Sequence, residues 1–186
     1  MKAGGLDLSL TSTGIATVHN GCIRVTTMKS TGSKDATLAQ RRRRINDLAG
    51  RIIAQLWHDG IPPELVAVEG PSLGQGRQTG GQHDRAGLWW MVVDELIDLG
   101  LHVVEIAPAA RAKYATGKGN ASKDAVLAAV VRRYVDVEVG CNDEADACVL
   151  AAMAARHLGD PFEESLPATH LEAMAKVRWP ARETAA

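Results

Sequence analysis

The pattern of apolar residues predicts an α/β domain with a five-stranded mixed sheet, in which three antiparallel strands precede two parallel ones and helices cover both faces. Two observations lead to this prediction. Three short β-type runs open the chain, and the rest alternates helical stripes of apolar residues with short, continuous apolar runs. The chain has 186 residues, which suffices for one such domain and argues against a two-domain enzyme with a cleft between the domains.

The first three strands are predicted at residues 3–8, 14–19 and 21–28, where apolar runs alternate with turn residues. Asn20-Gly21 joins the last two of these runs, and Asn-Gly between apolar runs is the strongest short signal for a hairpin. We therefore expect an antiparallel meander at the start of the chain.

A helix, a strand, a helix and a strand follow the meander. Apolar residues spaced by three and four predict the first helix at 37–58, and two prolines end it. Residues 65–69 form a continuous apolar run that is typical of a buried parallel strand. After a Gly- and Gln-rich segment, we expect an apolar helix at 86–99 and the next strand at 101–106.

The last part of the domain is predicted to be helical. We expect a short helix at 109–114, a second at 123–134 with Ser122 as its N-cap, and a long one at 142–157. Asn142 is the expected N-cap of the long helix, since Asn is among the preferred residues at that position.

Residues 1–158 are assigned to one domain, and 159–186, which three prolines interrupt, to a C-terminal tail with no predicted fold. The chain has only three cysteines and no C-x-x-C pair, so we expect neither a disulfide framework nor a structural zinc site. No apolar run is long enough for a membrane span or a signal peptide. We therefore expect a cytoplasmic protein that does not contact membranes.

Four acids stand at positions that this topology can bring together. Asp7 lies in the first strand, and Glu69 ends the fourth. Asp143 and Asp146 are three residues apart on the last helix, which places both carboxylates on one helical face. The alanines that follow make this helix slim enough to lie close to the sheet, so its acids can reach the ends of the first and fourth strands.

Each acid also has a simpler interpretation. Asp7 and Glu69 can be solvated acids at strand ends, and Asp143 and Asp146 can complement the positive end of a helix dipole. A cluster of four carboxylates, by contrast, requires cations, and its oxygens suit Mg²⁺ or Mn²⁺. Two such ions at one site are a common device for the hydrolysis of phosphodiesters. The acids by themselves leave both interpretations open.

The acids and several basic residues belong to short motifs that follow one another along the chain. In order, these motifs are Gly5-Leu6-Asp7 with Gly14 seven residues after the acid, Val66-Ala67-Val68-Glu69, Lys113 followed by Gly117-Lys118-Gly119 and Ser122-Lys123, and Asp143-Glu144-Ala145-Asp146-Ala147. In order and spacing they resemble the RuvC-type Holliday junction resolvases over residues 3–158. The resemblance implies an RNase H-like fold, a homodimer, and Mg²⁺-dependent symmetric nicking of four-way DNA junctions with two ions per subunit.

The resemblance also implies roles for single residues. It assigns catalysis and metal binding to the four acids, Asp7, Glu69, Asp143 and Asp146. Lys113 and Lys123 match basic residues near the cleaved strand, where an ammonium group can bind phosphate or stabilise developing negative charge. Lys118 is a third expected contact.

The net charge of −1 does not by itself favour nucleic-acid binding, but the charges are unevenly placed. Up to residue 133 the chain has 17 Lys and Arg against 12 Asp and Glu, and residues 108–133 carry six basic residues against one acid. We expect this segment to face DNA. The Gly- and Gln-rich loop at 70–85 is suited either to order on the DNA backbone or to serve as a plain flexible connector. The expected DNA contacts are Lys113, Lys118, Lys123, Arg77, Arg85 and Arg111.

The helix at 86–99 is apolar over more than one stripe. Trp89 and Trp90 are adjacent, so they cannot both face the same core. An interface between two copies of the chain through this helix explains the pattern, and a two-fold dimer suits a four-way junction. Burial of the helix beneath the C-terminal tail is the alternative.

Other functions stay open at this point. A related nuclease that prefers flaps or forks fits the same residues, and so does a junction-binding protein without catalysis. An actin-like ATPase or sugar kinase is a further alternative, because residues 7–11, Asp-Leu-Ser-Leu-Thr, resemble the first phosphate loop of that group. Those enzymes need two such domains, which a chain of this length does not supply.

Overall fold

The computed structural model describes residues 1–71 and 81–181, and its elements follow the predicted order. The strands are β1 (Lys2–Asp7), β2 (Ser12–His19), β3 (Cys22–Lys29), β4 (Leu65–Glu69) and β5 (His102–Ile106). The helices are α1 (Leu38–Leu56), α2 (Gln82–Asp98), α3 (Pro108–Thr116), α4 (Lys123–Arg133), α5 (Asn142–Leu158) and α6 (Ala168–Leu171), and a 3-10 turn follows at Met174–Lys176. Within these described ranges, no helix is both long and apolar enough to span a membrane.

The sheet has the strand order β3-β2-β1-β4-β5, with β1, β2 and β3 antiparallel and β1, β4 and β5 parallel. This confirms the predicted fold class. Gly5 pairs with Ala67 in the register of β1 and β4, and Leu6 pairs with Val68. Asp7 and Glu69, which end these two parallel strands, therefore lie at the same edge of the sheet.

The turn between β2 and β3 confirms the predicted hairpin. His19 pairs with Cys22, which leaves a loop of two residues. Asn20 has a φ of 49° and Gly21 a φ of 71°. Positive φ at both central positions is what a tight hairpin turn requires, and Asn and Gly accept it at low cost.

The two faces of the sheet carry separate hydrophobic clusters. Helices α1 and α2 cover one face, and α3, α4 and α5 cover the other. The central strand β4 contributes to both clusters, with Val66 and Val68 on the first face and Leu65 and Ala67 on the second. Burial on both sides explains why this strand is continuously apolar rather than alternating.

Helix α5 lies directly on the sheet because small residues remove the side chains that would separate them. A Cβ at Gly5 would overlap the backbone of Ala147 and Ala151, and one at Gly14 would overlap the carbonyl of Asp143. Gly14 pairs with the last residue of β1 in the antiparallel register. The first turns of α5 therefore lie beside the edge where β1 ends.

The start of α5 agrees with the prediction, but its cap does not. Asn142 is the first helical residue, and Cys141 takes the N-cap position without a side-chain hydrogen bond, so the prediction that Asn142 caps the helix is wrong. Glu144 instead accepts hydrogen bonds from the backbone N–H of Gly140 at 2.7 Å and from the hydroxyl of Thr27 at 2.6 Å. Contacts to β3, rather than an N-cap side chain, hold this end of the helix.

The chain that follows α5 packs onto α3, α4 and α5. Glu163 is buried and accepts hydrogen bonds from the hydroxyls of Tyr114 and Tyr134. Further along, Trp179 stacks on His157 with ring centroids 4.6 Å apart. The polar, proline-rich sequence gave no sign of this packing, because it depends on single long-range contacts rather than on a periodic pattern.

Replacing Gly5 with Ala tests the contact between α5 and the sheet. The added Cβ overlaps helix backbone, so we expect the free energy of unfolding to fall by about 1–3 kcal/mol, the usual cost of overpacking. Gly50→Ala is the matched control, because Gly50 is exposed in α1 with open space around it, and Ala there raises helix stability by up to about 1 kcal/mol. Urea unfolding followed by circular dichroism measures both variants. Equal stability of the two would contradict the contact.

Candidate functional site

Three of the four predicted acids meet at the edge of the sheet where β1 and β4 end. Asp7 and Glu69 are the last residues of these strands, and Asp146 lies in the second turn of α5. One carboxylate oxygen from each lies within 4.8 Å of those of the other two. Strand register brings the first two acids together, and the close packing of α5 adds the third.

Asp143 lies one turn earlier on α5 and outside this three-carboxylate group. Its Oδ2 accepts a hydrogen bond from the hydroxyl of Ser12 at 2.6 Å. The i, i+3 spacing does put Asp143 and Asp146 on one helical face, as the sequence indicated. The first of them is engaged by the start of β2, and the second points into the acidic group.

Burial and nearby negative charge oppose the ionisation of Asp7 and Asp146. Burial, followed by the negative charge of Glu69, raises the pKa of Asp7 to about 8. Burial also raises the pKa of Asp146 to about 6, although the nearby guanidinium of Arg111 acts in the opposite direction. Desolvation and like charge both disfavour the charged form of a carboxyl group. Positive charge placed among these three acids therefore lowers the free energy of the site.

The chemistry of the donors fits a hard divalent cation. Oδ2 of Asp146 is buried and has no hydrogen-bond partner among the described residues, and the nearest ammonium, that of Lys123, is 3.8 Å away. A buried, unpaired carboxylate oxygen is costly unless a cation or a donor satisfies it. Carboxylate oxygens are the ligands that Mg²⁺ and Mn²⁺ prefer, so Asp7, Glu69 and Asp146 are suited to hold such an ion.

Arg111 lies inside the acidic group rather than on the outer surface. The residue belongs to α3 and is 5% exposed. Its Nη2 and Nε donate to Oε1 of Glu69 at 2.9 and 3.2 Å, and its Nη1 donates to Oδ1 of Asp146. The sequence led us to expect a DNA contact here. The structure instead makes Arg111 a partner of two of the three acids.

The lysines expected near the cleaved strand differ in exposure and in their partners. Lys123 is 60% exposed at the start of α4 and lies closest to the acids. Lys113 is half-buried on α3, and its ammonium donates to Oε2 of Glu172 at 2.6 Å. Lys118 is exposed in the loop between α3 and α4. The described part of the C-terminal tail thus supplies a carboxylate to one of the expected phosphate contacts.

The remaining expected DNA contacts belong to the segment before and within α2. Arg85 is exposed in the first turn of α2. Arg77 lies outside the described residues. Arg85 therefore lies at the N-terminal end of α2, which directly follows the Gly- and Gln-rich residues in the chain.

Two residues to which the sequence assigned no role at the site support the acids. Ser12 positions Asp143, as described above, and the indole of Trp89 donates to the backbone carbonyl of Glu69 at 2.9 Å. Trp89 also meets Trp90 edge to face, with ring centroids 4.9 Å apart. Trp89 lies on the apolar helix that follows the strand bearing Glu69 in the chain, and this order is a signal that points to it. Nothing local marks Ser12.

Comparison with known proteins gives fold neighbours but no sequence family. No known family and no curated protein matches the sequence. The structure of Thermus thermophilus RuvC has a TM-score of 0.63 and 19% sequence identity to this chain, and the match covers 86% of this chain and 98% of RuvC. A structure of T. thermophilus RuvC in complex with Holliday junction substrate has a TM-score of 0.64 and 18% identity, and the match covers 86% of this chain and 97% of that one. The yeast mitochondrial Holliday junction resolvase Ydc2 has a TM-score of 0.52 and 13% sequence identity, and the match covers 80% of this chain and 75% of Ydc2. The RNase H-like fold that the resemblance implied is therefore confirmed.

The raised pKa values predict that the metal-free protein loses stability as the pH rises. In the unfolded chain Asp7 titrates near 3.8, whereas in the fold it keeps its proton up to about pH 8. Its contribution to stability is therefore complete below about pH 4 and is lost as the pH rises through 8. Asp146 adds an earlier loss near pH 6. Thermal unfolding in EDTA between pH 5 and 9 measures this decline.

Asp7→Asn removes the ionisable group and so flattens the decline. We expect this variant to melt several degrees above the wild type at pH 8, since each kcal/mol shifts the melting temperature of a domain this size by roughly 2–4 °C. The difference in melting temperature should shrink as the pH falls and vanish below about pH 4, where Asp7 is protonated in both the folded and the unfolded wild type. Asp136→Asn, at an exposed position after α4, serves as the control for loss of one negative charge. Parallel curves for all three proteins would refute the assignment.

Proposed function

We propose that this chain is a Mg²⁺-dependent endonuclease that resolves Holliday junctions by paired symmetric nicks. The group of three carboxylates at the sheet edge of a RuvC-like fold is the observation that carries the proposal. One of the fold neighbours was solved with a Holliday junction substrate, which supports branched DNA as the class of substrate. Fold alone does not determine function, so the proposal depends on the acids and the basic residues of the site.

The metal would be held by Asp7, Glu69 and Asp146, with Asp143 close by on the same helix. When bound, divalent ions supply Lewis-acid stabilisation of the phosphate charge and an activated water, the usual route to phosphodiester hydrolysis. The three acids lie on β1, β4 and α5, and these packed elements fix the positions of the carboxylate oxygens. Mn²⁺ is the second choice because it takes the same oxygen ligands.

The basic residues around the acids are proposed to bind the DNA backbone. The ammonium of Lys123 is 3.8 Å from Oδ2 of Asp146, and Lys113 lies two residues after Arg111 on α3. An ammonium group close to the acids can hold a phosphate or stabilise negative charge that develops during cleavage. Lys118, Arg85 and Arg77 are proposed as outlying phosphate contacts. Such contacts supply affinity that does not depend on base sequence and that weakens with salt.

We further propose that the protein acts as a homodimer in the cytoplasm. Trp90 is 64% exposed on α2, and Ile97 and Leu99 at the other end of this helix are also exposed, which is unusual for apolar side chains this large. Two copies of the site related by a two-fold axis match the symmetry of a four-way junction. Three cysteines without a disulfide are consistent with a reducing compartment.

The decisive experiment compares synthetic four-way, flap, fork and linear DNA in a cleavage assay with and without Mg²⁺. We expect Mg²⁺-dependent nicks placed symmetrically near the branch point of the four-way junction. A preference for flaps or forks would replace the proposed substrate with a related one. Equal cutting of linear duplex would refute structure selectivity, and binding without cleavage would indicate a non-catalytic junction-binding protein.

Asp7→Asn and Asp146→Asn test the acids. Each loses a metal ligand whose contribution to the transition state is several kcal/mol, so we expect the nicking rate to fall by at least about 10³-fold. Junction binding should persist, because the phosphate contacts are untouched. Asp136→Asn is the control and should cleave at the wild-type rate. Retained cleavage in either site variant would remove that acid from the mechanism.

Glu172→Gln tests whether Lys113 binds phosphate. In the wild type, Glu172 competes with DNA for this ammonium, so we expect the variant to bind the junction severalfold more tightly. Lys113→Ala should weaken binding and lower the salt slope of log K by about 0.9 for one lost phosphate contact. Glu164→Gln, at an exposed position in the same tail, removes the same charge elsewhere. Fluorescence anisotropy at several salt concentrations measures all three.

Trp90→Glu tests the proposed dimer. A charge placed in an apolar interface is costly, so we expect the variant to sediment as a monomer at concentrations where the wild type is a dimer. Val135→Glu is the matched control, because Val135 is 78% exposed just after α4, which covers the opposite face of the sheet from α2. A wild type that sediments as a monomer bound to a junction would contradict the proposal.

A further inference from the structure

Arg111 is the most deeply buried cation in contact with the acidic group. Its guanidinium bonds one oxygen of Glu69 twice and one oxygen of Asp146 once, from helix α3, which packs against α5. An arginine stays protonated under all conditions in which proteins fold. This site therefore carries a permanent positive charge before any ion arrives.

The carboxylate oxygens that Arg111 bonds determine which oxygens remain for a metal ion. Arg111 occupies Oε1 of Glu69 and Oδ1 of Asp146, the oxygens through which these two acids face α3. Oδ2 of Asp146 remains buried without a hydrogen-bond partner among the described residues. One side of the acidic group is thus already neutralised, and the other side is left open.

Electrostatics disfavours a full second cation in the same group. Even when all three carboxylates are ionised, Arg111 balances one of their three negative charges, and the ammonium of Lys123 lies 3.8 Å from Asp146. One divalent ion balances the other two. A second divalent ion would leave these three acids and Arg111 with a net positive charge. It would also have to compete with a buried guanidinium that already bonds an oxygen of Glu69 and an oxygen of Asp146, which costs more than displacing water.

We propose that Arg111 takes the place of a second metal ion, so that each chain binds one divalent cation instead of the two that the family resemblance implied. The ion binds through Asp7 and the oxygens of Glu69 and Asp146 that Arg111 leaves free. This inference rests on the proposed function in one respect, namely that the acidic group is a metal site. Arg111 acts through Glu69 and Asp146 and is therefore a positioning residue as well as a counter-charge.

The number of ions bound by the full chain tests this proposal without reference to cleavage. Metal-free protein is titrated with Mn²⁺ alone, and free Mn²⁺ is followed by electron paramagnetic resonance. We expect one ion per chain in the wild type. Two ions per chain would overturn the proposal, and so would none. The wild-type result decides the matter even if every Arg111 variant fails to fold.

Variants of Arg111 give the second measurement. Arg111→Gln removes the charge, so we expect a second Mn²⁺ per chain or a dissociation constant for the first at least about tenfold lower, because a like charge a few ångströms from the ion is gone. Arg111→Lys keeps the charge and should still bind one ion. Arg24→Gln, at an exposed position on β3, is the control for loss of a distant positive charge and should match the wild type. Arg111→Gln binding that is identical to the wild type would overturn the proposal.

Junction cleavage is measured on the same wild-type preparation, which separates this inference from the proposed function. Cleavage by a protein that binds two ions would leave the function standing and remove the role of Arg111. The opposite result is one ion in the wild type, a second ion in Arg111→Gln, and no cleavage of any branched DNA. That result would support the role of Arg111 and refute the proposed nuclease function.

Discussion

Helix α5 lies against strands β1 and β2 with no side chain between the backbones at Gly5 and Gly14. Close contact of this kind buries every position of the helix from 145 to 155 and joins the largest hydrophobic cluster to the centre of the sheet. It also sets the depth at which Asp146 meets Asp7. The same packing therefore stabilises the core and assembles the site, and the two cannot be changed independently.

The acidic group shows how a fold accommodates charges that repel. Asp7 and Asp146 are partly withdrawn from water, and both hold protons more tightly than free carboxyl groups. Burial and mutual repulsion make the site unfavourable without a cation, which is also why it can bind one well. Arg111 meets part of that need from within the chain, and this links the stability of the metal-free fold to the number of ions that the site accepts.

The C-terminal stretch takes part in both structure and charge balance. Buried Glu163 anchors it beneath α3 and α4 through two tyrosine hydroxyls, and Glu172 then reaches Lys113. A segment that looked like a polar tail thus lies beside the basic surface proposed to bind DNA. One of its carboxylates, that of Glu172, bonds Lys113, a cation that the resemblance placed near the cleaved strand.

Local sequence patterns were sufficient for the order of strands and helices, the Asn20-Gly21 turn and the presence of acids at the ends of β1 and β4, since each depends on neighbouring residues or on strand register. They did not reveal which acids meet. Asp143 and Asp146 are equivalent by spacing, yet one is held by Ser12 and the other joins the group, because only the angle and depth of α5 on the sheet separate them. Arg111 looked like a surface cation for the same reason: whether a basic side chain faces solvent or two carboxylates is decided by how α3 packs, and no local pattern encodes that.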